Sequence, residues 1–188
     1  TNTFTGREWG DGTASPLVFN PKKLDARQWA KEIKNAGMKA IILTCKHHDG
    51  FCLFDSKYTD FKITNTPFGR DLVKEYVEAF RAEGLKVGLY YSPAQFGSSD
   101  QNSTDYDTYF INQISELLGN YGKIDYLWFD GCGSEDHEYD QDRIIGEIRR
   151  MQPEIMIFNM WDPDTRWIFN ESGIAGLDDG CMADSLGF

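Results

Sequence analysis

Segments of helical and strand character alternate from Asp25 to Asn159, and few folds satisfy that alternation. Asp25 to Ala36 is predicted to be helical, with Asp25 at the N-cap, Gln28 three residues later and Gly37 as the stop. Lys39 to Cys45 (KAIILTC) is apolar and β-branched and reads as a buried strand. A long loop region then ends at PFGR. Asp71 to Glu83 is a second helix, stopped by Gly84, and Lys86 to Ser92 (KVGLYYS) the next strand. Tyr106 to Tyr121 reads as a helix ended by Gly122, and Tyr126 to Asp130 (YLWFD) as a strand. Gln141 to Met151 is a helix opened by Asp140 and closed near Pro153, and Ile155 to Asn159 (IMIFN) a further strand. Alternation of this kind argues for right-handed βαβ units around a parallel sheet.

A closed barrel and an open doubly wound sheet both fit. The open sheet usually carries a glycine-rich phosphate loop, and neither GxGxxG nor GxxxxGK followed by Ser or Thr occurs. The expected fold is α/β, a (β/α)8-like, TIM-type barrel. A full barrel takes about 250 residues. The chain has 188 and shows four clear strands, so residues 1–188 are expected to form one partial barrel domain.

With 30 acidic and 19 basic residues the net charge is −11, which disfavours phosphate backbones and anionic membranes as partners but is compatible with a neutral sugar. No stretch approaches the roughly 20 apolar residues of a membrane span. The start, TNTFTGREWG, lacks a basic segment followed by an apolar one, so no signal peptide is visible; secretion or a periplasm stays compatible. Cys45, Cys52, Cys132 and Cys181 form no CxxC pair and read as free thiols.

The strand ends carry groups that a core would not choose: Lys46-His47-His48-Asp49-Gly50, then Ser92-Pro93, Asp130-Gly131 and Met160-Trp161-Asp162. In a (β/α)-barrel such ends converge on the face that holds the active site. Asp130 follows a buried apolar strand, and Gly131 would permit a sharp turn and close approach of a ligand. A lone FDG is more often an Asp that caps the next element. His47 and His48 at a strand end can both reach a pocket, and neutral imidazoles suit sugar hydroxyls because each offers a donor and an acceptor. A metal centre is the rival reading. It needs at least three protein ligands, and the only other histidine is His137. Glu8-Trp9-Gly10-Asp11-Gly12 has a sugar-binding composition. Thr165 to Gly173 holds Glu171 among aromatics, surroundings that raise a carboxyl pKa as a general acid requires. Glycoside hydrolysis needs two carboxyl groups flanking the scissile bond, and Asp130 and Glu171 come from neighbouring units.

These residues resemble glycoside hydrolase family 29, the retaining α-L-fucosidases. The likeness runs through EWGDGT (8–13), FNPKKLDARQWAKEIKNAGMKAIILTCKHHDGFCLF (19–54), GLKVGLYYSP (84–93), YLWFDG (126–131) and DPDTRWIFNESG (162–173). The resemblance implies a (β/α)-barrel catalytic domain. It implies Asp130 as nucleophile and Glu171 as acid/base, with Phe169 where relatives having this segment usually carry Gly. It further implies that His47, His48, Glu8 and Tyr90 bind fucose hydroxyls, with Trp9 and Trp128 as apolar walls for the C6 methyl. No metal or organic cofactor is implied. The substrate would be a fucosylated oligosaccharide or glycoconjugate, with a lean towards α-1,3/1,4 linkages. Relatives carry a His in an HFG motif just before the segment matching TNTF, and barrel strands after the acid/base segment. Neither lies within Thr1–Phe188, so a truncated sequence is expected. Two other readings stay open: an inactive fucose-binding remnant, and a metal-dependent barrel hydrolase using His47, His48 and Asp130.

Overall fold

The computed structural model describes residues 10, 12–95, 106–132, 137–165 and 167. After a 3-10 turn at Pro16–Val18, four helix–strand pairs follow in order: α1 (Ala26–Asn35), β1 (Ala40–Lys46), α2 (Leu72–Ala82), β2 (Lys86–Tyr91), α3 (Tyr106–Asn120), β3 (Tyr126–Phe129), α4 (Gln141–Met151) and β4 (Met156–Phe158). A second 3-10 turn, Ile63–Asn65, lies in the long β1–α2 connection. The elements agree with the sequence reading to within a residue or so at each end.

The caps explain the helix starts. Asp25 accepts from the backbone N–H groups of Arg27 and Gln28 at 2.9 and 3.2 Å. Asp140 accepts from Arg143 N at 3.1 Å. Asp71 does more: besides capping α2 through Lys74 N at 2.9 Å, its carboxylate accepts from Asp55 N and from the Tyr121 hydroxyl. It thus ties the long connection to the far end of α3. Gly37 and Gly84, just beyond α1 and α2, take the left-handed conformation that ends a helix cheaply.

The four strands are parallel and lie in sequential order, β1-β2-β3-β4. One sheet face is packed under helices. Val87, Leu89 and Tyr91 of β2, Leu127 and Phe129 of β3, and Ile157 of β4 are fully buried on it, against Val73, Phe80, Phe110, Ile114, Leu117 and Ile148. Burial of each large apolar side chain contributes about 1.5–3 kcal/mol. The other face carries Ile42, Thr44, Tyr90, Tyr126, Trp128, Met156 and Phe158, all half-buried. The sequence reading took the first strand as buried throughout. Instead β3 and β4 alternate, because helices cover only one side of the sheet, and residues 40–44 are half-buried on both faces, β1 being the end strand of the described sheet. Gly88 sits mid-sheet, where a Cβ would lie 2.6 Å from Ile42 Cγ1 and 3.2 Å from Tyr126 Cβ; the missing side chain lets its neighbours close over β2.

The register contains one irregularity. Thr44 pairs with Tyr90 and Lys46 with Tyr91, so Cys45 is an extra residue in β1. Its carbonyl is diverted to Leu53 N at 2.8 Å, and the ladder resumes with Ser92 N on Lys46 O at 2.9 Å. Such a bulge re-aims whatever follows it. Without it Lys46 would share the open face with Thr44, and His47 would turn towards the helices.

Candidate active site

The bulge sorts the Lys46-His47-His48 run. Lys46, paired with Tyr91, is fully buried on the helix side, with its Nζ 4.3 Å from the Tyr91 ring centroid and 3.4 Å from Gln95 Oε1. Burial lowers its pKa to about 8. His47 emerges on the open side and stacks on Tyr90, ring centroids 5.7 Å apart and planes within 9°. His48 lies against His47 at 4.1 Å and points Nε2 at Asp130, 3.7 Å from Oδ2. The loop turns at Gly50, whose φ is +79° and where a Cβ would strike the Gln95 side chain at 2.7 Å. The left-handed backbone favours glycine, and any Cβ would also displace the Gln95 side chain that meets Lys46.

Asp130 lies just past the end of β3. Its Oδ2 accepts from the Tyr90 hydroxyl at 2.7 Å, and its Oδ1 from Cys132 N at 3.0 Å. Two donors from different elements fix the plane of the carboxyl group, which is 30% exposed and so open to a ligand. The Cys132 bond also makes the turn after β3. Gly131 is not in the left-handed region, and among the described residues a Cβ there would meet only Met160, at 3.6 Å. The sharp turn ascribed to Gly131 therefore belongs to the Asp130 side chain, in an Asx-type turn.

Aromatic rings wall this corner. Trp128 packs on Phe158 at 4.6 Å, on Tyr90 at 6.0 Å and on Trp167 at 5.8 Å. Trp167 itself lies beside β3 through this contact with Trp128. It is preceded by a braced loop. Asp164 Oδ2 accepts from Ile157 N at 2.7 Å and from Arg149 at 2.9 Å, while Asn159 N donates to Thr165 O at 3.0 Å.

The electrostatics suit recognition of hydroxyls. Burial above all holds both imidazoles below their ordinary pKa. For His48 the neighbouring His47 acts in the same direction, while Asp130 and Asp49 oppose it. Burial and the bond to Asp130 push the Tyr90 hydroxyl well above the usual range, so it remains a donor at neutral pH.

The sequence candidates His47, His48, Tyr90, Trp128 and Asp130 thus meet at the C-terminal ends of three adjacent strands. Glu8, Trp9 and Glu171 lie outside the described residues. His47, His48 and Asp130 each offer a ligand atom within 4.8 Å of the others, the trio that a metal reading requires. His137 is engaged elsewhere, at 2.8 Å from Asp107 and against the rings of Tyr106 and Tyr139. Ser92 escaped the sequence reading as a site residue. Its hydroxyl lies 2.6 Å from His48 Nδ1, and the only signal was its place at the end of β2. Cys45 and Cys52 are free and buried, and Cys132 is half-buried.

The α-L-fucosidase family model matches residues 8–174. Alpha-L-fucosidase 1 of Arabidopsis thaliana is 41% identical over 182 residues, covering 93% of this chain and 36% of that protein. Among solved structures, a glycoside hydrolase 29 family member from a rumen bacterium superposes with a TM-score of 0.82 at 40% identity, over 92% of this chain and 35% of that one. Alpha-L-fucosidase isoenzyme 1 from Paenibacillus thiaminolyticus gives 0.68 at 43% identity, over 76% and 39%. The chain spans about a third of the length of the curated relatives it matches. With the family model matching nearly its whole length, this chain belongs to the α-L-fucosidases of glycoside hydrolase family 29.

Proposed function

We propose that this chain is the nucleophile-bearing part of a retaining, exo-acting α-L-fucosidase, and that residues 1–188 contribute half of a closed (β/α)-barrel catalytic domain. Sequential parallel strands with helices on one face, and a half-buried, aromatic-rich face on the other, support the barrel. One observation carries the function. Asp130 is partly open at a strand end, its carboxyl plane set by Tyr90 and Cys132 N, beside paired imidazoles held neutral by burial.

In this reading the Asp130 carboxylate attacks the anomeric carbon of a terminal α-L-fucoside of a fucosylated oligosaccharide or glycoconjugate. The glycosidic C–O bond breaks, and Glu171 gives its proton to the departing oxygen. A β-fucosyl ester on Asp130 results. Glu171, now a carboxylate, takes a proton from water, which attacks the anomeric carbon and releases fucose with retained configuration. Retention requires the two carboxyl groups to lie about 5–5.5 Å apart. His47, His48, Tyr90 and Glu8 bind the sugar hydroxyls, and Trp9 and Trp128 face its methyl group.

Asp130→Ala in the full chain tests this directly. Hydrolysis of an aryl α-L-fucoside is expected to fall by several orders of magnitude with the fold intact; turnover near the wild-type rate would sink the assignment. The cluster of His47, His48 and Asp130 is what a second reading, a metal-dependent hydrolase, would rest on. Activity that survives exhaustive chelation supports the fucosidase mechanism; activity lost on chelation and restored by a divalent ion supports the metal.

A further inference from the structure

We propose that Ser92 is a positioning residue that fixes the tautomer of His48, holding its proton on Nδ1 so that Nε2 faces Asp130 and the substrate as a hydrogen-bond acceptor. This rests on the fucosidase reading for its consequence but not for its chemistry.

A hydroxyl has a single hydrogen. Ser92 Oγ lies 2.8 Å from the Ala94 carbonyl oxygen and 2.6 Å from His48 Nδ1. A carbonyl can only accept, so the Ser92 hydrogen goes to Ala94. The Oγ lone pair is then what meets Nδ1, and Nδ1 must carry the proton. Ser92 cannot swing away from this task. It has no exposure, and its backbone N–H is anchored to Lys46 O at 2.9 Å, in the first ladder bond after the bulge. The ladder bond that closes the bulge therefore also sets the serine that orients His48.

Among the described residues, the charged and titratable groups that act on His48 are His47, Asp130, Asp49 and Lys46. Burial first, then His47 and Lys46, oppose a second proton more than Asp130 and Asp49 favour one, so the choice between neutral tautomers is the one that counts. With Nδ1 protonated, Nε2 turns a lone pair towards Asp130 Oδ2 at 3.7 Å, beyond hydrogen-bond length. The carboxylate opposes this arrangement, but its two oxygens are engaged by the Tyr90 hydroxyl and Cys132 N. A sugar hydroxyl meeting Nε2 must donate to it. The other tautomer would turn an N–H on the same hydroxyl and reverse its polarity. Ser92 thus acts at one remove, as partners of metal-bound or catalytic histidines do elsewhere.

The test uses the full chain with 15N-labelled histidine. Two-bond 15N–1H correlation, with His48 identified by loss of its signals in His48→Gln, is expected to show a pyrrole-type Nδ1 and a pyridine-type Nε2. Ser92→Ala should mix the two tautomers and lower kcat/KM by about tenfold, the effect of one lost hydrogen bond. Ser92→Thr, which keeps a hydroxyl, should restore both. A wild-type spectrum with the proton on Nε2 overturns the proposal, as does Ser92→Ala with tautomer and kcat/KM unchanged. If Ser92→Ala does not fold, the wild-type spectrum and Ser92→Thr decide. A wild-type protein with the Nδ1–H tautomer but no fucosidase activity would refute the proposed function and leave the tautomer assignment standing.

Discussion

Replacing Lys46 by Met should make the protein more stable at neutral pH while weakening the site. The Lys46 ammonium is fully buried, with one long hydrogen bond to Gln95 and the rings of Tyr91, Tyr109 and Tyr106 at 4.3, 5.6 and 6.0 Å. Its pKa falls from 10.5 to about 8, the cause being desolvation. A depression of this size corresponds to about 3 kcal/mol at about 1.4 kcal/mol per pH unit. The sign follows from proton counts. Between pH 8 and 10.5 the unfolded chain holds the lysine proton and the folded chain has released it, so lysine-dependent stability rises with pH through that window. Below pH 8 both states hold the proton, and the full penalty is present. Urea unfolding of wild type and Lys46→Met at half-unit steps from pH 7 to 10.5 measures this, and the difference between them cancels the groups they share. The wild type should gain about 3 kcal/mol on the variant across the window. Parallel curves, within about 0.5 kcal/mol throughout, would refute the buried-cation picture.

Tyr90→Phe removes the hydroxyl bonded to Asp130 Oδ2 and leaves the ring that stacks on His47. Hydrogen bonds to charged groups contribute about 1.5–3 kcal/mol, so kcat/KM should fall by about 10- to 150-fold with the melting temperature little changed. Gly50→Ala combines a left-handed backbone with a 2.7 Å clash on Gln95. It should destabilise the fold by about 1–3 kcal/mol in urea unfolding and cost most of the activity. Because burial depresses His47 and His48, the unfolded chain binds their protons first as pH falls below about 6.5. Stability should therefore decline between pH 7 and 5.5, and the double variant His47→Asn/His48→Asn should show a shallower decline in the same urea titration.

Helix and strand identity was legible because each element is signalled locally. Asp25, Asp71 and Asp140 cap helices through their own side chains, and Gly37 and Gly84 end two of them. The meeting of His47, His48, Tyr90, Trp128 and Asp130 was legible because all sit at or beside strand ends. Three features were not. The bulge at Cys45 depends on a carbonyl captured by Leu53, a contact between segments that leaves no mark on residue type. The turn after β3 looked like a glycine turn but is made by Asp130 on Cys132 N. Ser92 read as the last residue of a strand, since nothing in its neighbours reveals that an imidazole from another strand will reach it.

Covalent trapping tests the central claim most directly. The full chain is incubated with a 2-deoxy-2-fluoro-fucosyl donor bearing a good leaving group, digested, and sequenced by mass spectrometry. The account predicts a fluorofucosyl ester on the peptide containing Asp130, at that residue. An adduct on any other carboxylate, from an enzyme that turns over α-L-fucosides, would contradict it.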